Sequence, residues 1–104
     1  MDYQVELTES AQDDIEYYEA RDQRIIVAGI IAHLKFDAEI PTKRRKQLRP
    51  NPIAPWELRV DRFRVFYSIE GATGSESKGR SVKVVAVGHK EHNELFIRGE
   101  KVQL

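Results

Sequence analysis

The chain has no cysteine, which removes structural disulfides and thiolate metal sites from consideration. It also has no apolar run near the roughly 20 residues that span a bilayer, so no membrane association is expected. Its start, Met1-Asp2-Tyr3-Gln4, lacks the basic and apolar pattern of a signal peptide, and a soluble cytoplasmic protein is the expectation. No set of His, Asp and Glu has metal-ligand spacing, so neither a metal nor another cofactor is expected. There is no internal repeat, and 104 residues fit one domain, 1–104.

Net charge is absent as well, but the zero hides a division. Residues 1–42 hold ten acidic residues against three basic ones, and residues 43–104 hold seven against fourteen. A split of this kind points to a basic working surface backed by an acidic scaffold, with two ordinary solvated faces as the plainer reading.

The stretch the chain is organised around is Trp56-Glu57-Leu58-Arg59-Val60-Asp61-Arg62-Phe63-Arg64-Val65-Phe66-Tyr67. It alternates as two strands joined at Asp61-Arg62. Trp56, Leu58, Val60, Phe63, Val65, Tyr67 and Ile69 take one face, and Glu57, Arg59, Arg62 and Arg64 the other. If Val60 pairs with Phe63, Arg59 falls opposite Arg64. Like charges so placed are destabilising, and guanidinium forks match phosphate oxygens in pairs. A shared anion is therefore expected.

Upstream, Tyr3–Leu7 alternates as a short strand. Thr8 or Ser10 can cap a helix whose narrow apolar stripe is Ala11, Ile15 and Tyr18. Asp22 can cap a second helix with a wider stripe, Ile26, Val27, Ile30, Ile31 and Leu34, and the pair makes an antiparallel hairpin. Pro41 closes it. The basic run Lys43-Arg44-Arg45-Lys46-Gln47-Leu48-Arg49 follows, then three prolines among residues 50–55 that exclude helix and lead, extended, into the Trp56 strand.

Residues 70–80 read as a flexible hairpin loop. Ser81–Gly88, apolar on nearly both faces after Lys83, belongs at the centre of a sheet. Residues 89–96 form either a helical turn or a loop, and residues 97–104 add a short edge strand. The fold class is α+β: a helical hairpin on one face of a small, twisted, mostly antiparallel sheet, ordered β-α-α-β-β-β, whose other face is basic and concave.

Leu58-Arg59-Val60, Phe63-Arg64-Val65-Phe66-Tyr67 and Val87-Gly88-His89-Lys90, taken in this order over nearly the whole chain, resemble the RelE/ParE superfamily of bacterial toxins. The resemblance implies the toxin half of a type II toxin–antitoxin pair. RelE-like members cut messenger RNA on the ribosome, and ParE-like members inhibit DNA gyrase. It implies, too, that Arg64 stands at the position used on the scissile phosphate. Arg59 falls where a strand lysine is held, Glu57 at the neighbouring lysine position, Lys90 where an arginine is typical, and Phe96 where a tyrosine is expected. The implied partners are a cognate antitoxin, the ribosome with its message, and operator DNA reached only through the antitoxin.

Metal-free RNA cleavage needs a base for the 2′-hydroxyl, cations for the phosphate and an acid for the leaving oxygen. Arg59, Arg64 and Lys90 suit the second task. Glu57 is either a base or the arginines' counter-ion. His89 and His92 titrate in a useful range, although His89 equally can bond backbone at the strand's end. His33 reads as structural. Lys43, Arg44, Arg45, Lys46 and Arg49 fit phosphate-backbone contacts. Phe96 and Phe66 either stack on a base or pack under the last segment. A gyrase inhibitor, or a member without chemistry, is the alternative function.

Overall fold

The structure, a computed structural model, describes residues 3–71 and 80–104. Thr8 caps the first helix, its hydroxyl accepting from the Ala11 amide at 3.0 Å. Strand β1 (Tyr3–Leu7) leads into that helix, α1 (Glu9–Glu16), which is followed by α2 (Ala20–Leu34). The second helix begins two residues before Asp22, with Glu19 at the cap position, so Asp22 lies in its first turn rather than capping it. Of its apolar stripe, Ile26, Ile30 and Leu34 are buried, whereas Val27 and Ile31 are exposed. The i, i+4, i+8 row meets the sheet, and the two residues beside it fall outside that contact.

The sheet runs β2 (Arg45–Gln47), β3 (Trp56–Val60), β4 (Phe63–Gly71), β5 (Arg80–Glu91), β6 (Glu94–Ile97) and β7 (Glu100–Val102) in spatial order, with β1 also on β5. Among the described residues only the β1–β5 pair is parallel. Strand β5 is central because β4 takes one edge while β1 and then β6 share the other. Its doubled apolar pattern has a local cause. The register against β4 shifts between Phe66 and Tyr67, so Val85 is the extra residue of a β-bulge, and Val85 and Ala86 both pack on the outer cluster.

The expected loop or helical turn over 89–96 is instead the end of β5, a tight turn and β6. His92 and Asn93 both hold positive φ, 52° and 68°, the pattern of a type I′ hairpin turn. Arg98 and Gly99 repeat it, at 49° and 81°. Asn, Gly and to a lesser degree His enter this region, whereas Arg does not, and neither His-Asn nor Arg-Gly is a favoured hairpin-turn pair, so the sequence signal for these turns was weak. The basic run also holds a short strand, β2, to which the sequence reading assigned no element. The 70–80 loop lies outside the described residues over 72–79.

The main core lies between the helices and the sheet, where Ile26, Leu34, Leu58, Phe63, Val65 and Tyr67 are fully or almost fully buried. Trp56 stacks on its register partner Tyr67, with ring centroids 5.8 Å apart, and the Tyr67 hydroxyl donates to the Ala38 carbonyl at 2.8 Å. Burying one such side chain contributes about 1.5–3 kcal/mol. The outer face is not an open concavity. A second cluster of Ala54, Phe66 and Leu95 covers part of it, with Leu48, Ile53, Ile97 and Val102 packed around. Gly88 makes this possible, because a Cβ there would lie 2.3 Å from the Phe96 carbonyl oxygen. The β6 backbone therefore lies directly over it.

Candidate functional site

On the outer face, the β3–β4 register sets Arg59 opposite Arg64 and Val60 opposite Phe63. Glu57 precedes Arg59 by two residues and so shares its face. Lys46 is the register partner of Glu57 from β2 and brings a second exposed cation to the same face. Three cations and one carboxylate thus meet on one side of the sheet, and Phe66 beside them is fully buried.

The two arginines differ in setting. Arg59 is exposed, whereas Arg64 is 8% exposed. Arg64 Nε lies 3.2 Å from Glu57 Oε2, and its Nη1 donates to the Phe63 and Asp61 carbonyls at 2.9 and 3.0 Å. Burial lowers the Arg64 pKa from its ordinary value, Glu57 opposes that shift and Arg59 adds to it. The guanidinium is rigidly held, with one carboxylate as its charge partner. Glu57 is the counter-ion of Arg64 as the sequence allowed. A carboxylate so placed is also fit to take a proton from a group bound between the arginines.

Lys90 lies within β5, two residues beyond Gly88, the register partner of Arg64, and so on the outer face. His89 takes the helix side instead. Tyr18 Oη lies 2.7 Å from His89 Nδ1, and His89 Nε2 lies 3.5 Å from Glu91 Oε2. Burial pushes the Tyr18 phenol up to about 12, so the hydroxyl keeps its proton, and the direction of its bond with Nδ1 follows the imidazole tautomer. Phe96 stacks on His89, centroids 5.6 Å apart, on this same helix side. His92 is exposed at the β5–β6 turn. The structure therefore does not bring His89, His92 and Phe96 to the arginine pair.

The basic run divides similarly. Lys43, Arg44, Lys46 and Arg49 are exposed. Arg45 faces the helices, its Nε donating to the Ile40 carbonyl and Nη1 to the His33 carbonyl at 2.8 and 2.9 Å. It anchors the strand to the end of α2. Burial, together with Arg44 and Arg45, depresses the His33 pKa. Among the described residues no group of three or more His, Asp or Glu is placed to hold a metal ion, and no helix is long and apolar enough to cross a membrane.

One constellation was missed in the sequence. Asp14 is 1% exposed; its Oδ2 accepts from the Val87 amide at 3.0 Å, and its Oδ1 lies 2.7 Å from Arg98 Nε. It fills the stretch of the β5 edge between the end of β1 and the start of β6. The signal was there, because Asp14 falls three residues after Ala11 and four before Tyr18, on the buried stripe of α1.

No family model matches the chain, and no curated protein matches it in sequence. Among solved structures, a chain of the toxin–antitoxin complex RelBE2 from Mycobacterium tuberculosis is similar, with a TM-score of 0.65 at 21% identity. The match covers 86% of this chain and 100% of that one. Among the described residues, two helices on a seven-stranded, largely antiparallel sheet therefore form an α+β, RelE-like fold, similar to that of the matched chain.

Proposed function

We propose that this chain is the toxin of a type II toxin–antitoxin module and cleaves messenger RNA on the ribosome through its outer face. The observation that carries the reading is the cluster itself. Arg59 and Arg64 are directly opposed, with Glu57 on Arg64 and Lys46 across from Glu57. One carboxylate does not balance three cations, and a bridging phosphate would. In this scheme Glu57 takes the 2′-hydroxyl proton and the 2′-oxygen attacks phosphorus. The 5′-oxygen then leaves and is protonated by water. The products are a 2′,3′-cyclic phosphate and a 5′-hydroxyl. Arg59, Arg64 and Lys90 would stabilise the charge that builds on the phosphate, a role in which fixed guanidiniums serve better than mobile ones.

The antitoxin of such a module would mask this face or the outer side of α2. There Val27 and Ile31 are exposed beside a shallow cavity of about 520 Å³. An acidic segment that folds on binding, as an amphipathic helix or an added strand, suits either surface.

A second reading, a toxin that binds without cutting, is favoured by the burial of Arg64 and by Phe96 at the expected tyrosine position. Inducing the chain without an antitoxin separates the two. Codon-phased new ends in translated messages support cleavage, while gyrase-linked DNA breaks with intact messages support the second reading. Normal growth with neither sinks both.

A further inference from the structure

Beyond the arginine pair, the outer face carries a second built feature with unspent polar groups. It is a groove of about 350 Å³ at the β5–β6 turn and β7. Leu95 and Val102, register partners across β6 and β7, lie along it, and Leu95 is 4% exposed. Lys90, Asn93 and Gln103 also line it. Lys101 lines it as well but is spoken for, its Nζ 3.0 Å from Glu94 Oε2. Among the described residues, the Lys90, Asn93 and Gln103 side chains show neither hydrogen bond nor ion pair, and Asn93 is held in the left-handed region by its turn, at φ 68°.

An apolar floor, two unpaired amides and one free ammonium answer the three parts of a nucleotide. Base planes lie on apolar surface, amides match the donors and acceptors of a base edge, and an ammonium meets a phosphate. The volume is at the small end for ligand pockets, which suits one nucleotide rather than a duplex. Lys90 is two strand residues, about 7 Å, from the position opposite Arg64, so a nucleotide gripped at the arginines reaches the groove with its neighbour.

We propose that this groove is a nucleobase subsite, in which Asn93 and Gln103 read the base adjacent to the phosphate held by Arg59 and Arg64. The proposal rests on the RNA reading of the arginine face, and it assigns base preference to residues on that face beyond the arginine pair.

The test titrates the full chain with four homopolymeric hexaribonucleotides, 2′-O-methylated to prevent cleavage. It follows side-chain amide signals by NMR and affinity by fluorescence anisotropy. One base should be favoured by about tenfold, as for a bidentate base contact, with the Asn93 and Gln103 amide signals shifting. N93A and Q103A should each cut that preference to within about twofold, whereas R64A should weaken all four oligomers alike. Binding that shifts Arg59 and Arg64 but leaves both amides unmoved, or a preference unchanged in N93A and Q103A, overturns the subsite and leaves the RNA reading standing. Failure of every oligomer to bind at millimolar concentration overturns the subsite, while the ribosome-dependent cleavage is judged separately on programmed ribosomes.

Discussion

Arg59 and Arg64 stand directly opposite each other on β3 and β4, yet Glu57, the carboxylate that holds Arg64, is a register partner of neither. It reaches Arg64 diagonally from the Lys46–Glu57–Phe66 row. The arginine pair is thus an intrinsic repulsion that one offset carboxylate relieves for Arg64 only.

Removing that carboxylate should expose the repulsion. Glu57→Gln keeps the shape and one hydrogen-bonding oxygen but leaves Arg64 buried without a counter-charge. A loss of about 2 kcal/mol in urea denaturation is expected. Arg59→Gln should do the reverse and gain about 0.5 kcal/mol by removing a like charge opposite Arg64. In combination, the second change should recover part of what the first loses, because the two act on one guanidinium.

Much of this pairing was legible beforehand. Alternation fixed which strand residues share a face, with Arg62 the exception: it sits in the turn and pairs with Asp22 of α2 rather than joining Arg59 and Arg64. Val60 opposite Phe63 followed from the shortest connection the parity allows. The covering of the outer face was left open by the sequence, which allowed Phe66 either to stack on a base or to pack under the last segment, as it does. It depends on Gly88 admitting the β6 backbone and on His92 and Arg98 taking positive φ, and neither residue type announces that. The consequence was an expected open surface where Phe66 is in fact buried. His89 was misplaced for a related reason: with β5 running on to Glu91, its side follows from strand parity and turns it toward Tyr18.

The Tyr18–His89 contact can be tested on its own. Tyr18→Phe removes the hydrogen bond to Nδ1 and should cost about 1–1.5 kcal/mol. Nitrogen chemical shifts should show a single imidazole tautomer in the parent and a tautomer mixture in the variant. There is also a pH signature. Because the folded phenol ionises near 12, its contribution to stability is present below the ordinary tyrosine value and lost as pH rises through that value toward 12. Thermal melts of the variant should fall less steeply than those of the parent across this alkaline window.

Asp14 predicts a slope in acid. Burial raises its pKa above the ordinary aspartate value, against the pull of the Val87 amide and Arg98. Just above that ordinary value the folded chain holds the proton more tightly than the unfolded one, so stability falls as pH rises through the window. Asp14→Asn should flatten this slope while retaining an acceptor for Val87. It also strips Arg98 of its counter-charge, so amide exchange in the β6–β7 hairpin should quicken at neutral pH.

Gly88→Ala tests how the outer face is closed. The new methyl would meet the Phe96 carbonyl, a backbone atom that cannot turn aside, and β6 must lift. A loss of about 3 kcal/mol is expected, with Leu95 and Phe66 gaining solvent exposure, seen as increased binding of a hydrophobic dye. Retained stability would mean that β6 does not lie over β5 as described.

The proposed chemistry stands or falls with programmed ribosomes incubated with the purified chain, the message ends being sequenced afterwards. The account predicts cuts within the translated codon that leave a cyclic phosphate and a 5′-hydroxyl. Glu57→Gln should slow cutting by about 10²–10⁴-fold, and Arg64→Ala should abolish it. Intact messages with the unmodified chain, or cutting at the same rate in Glu57→Gln and Arg64→Ala, would contradict it.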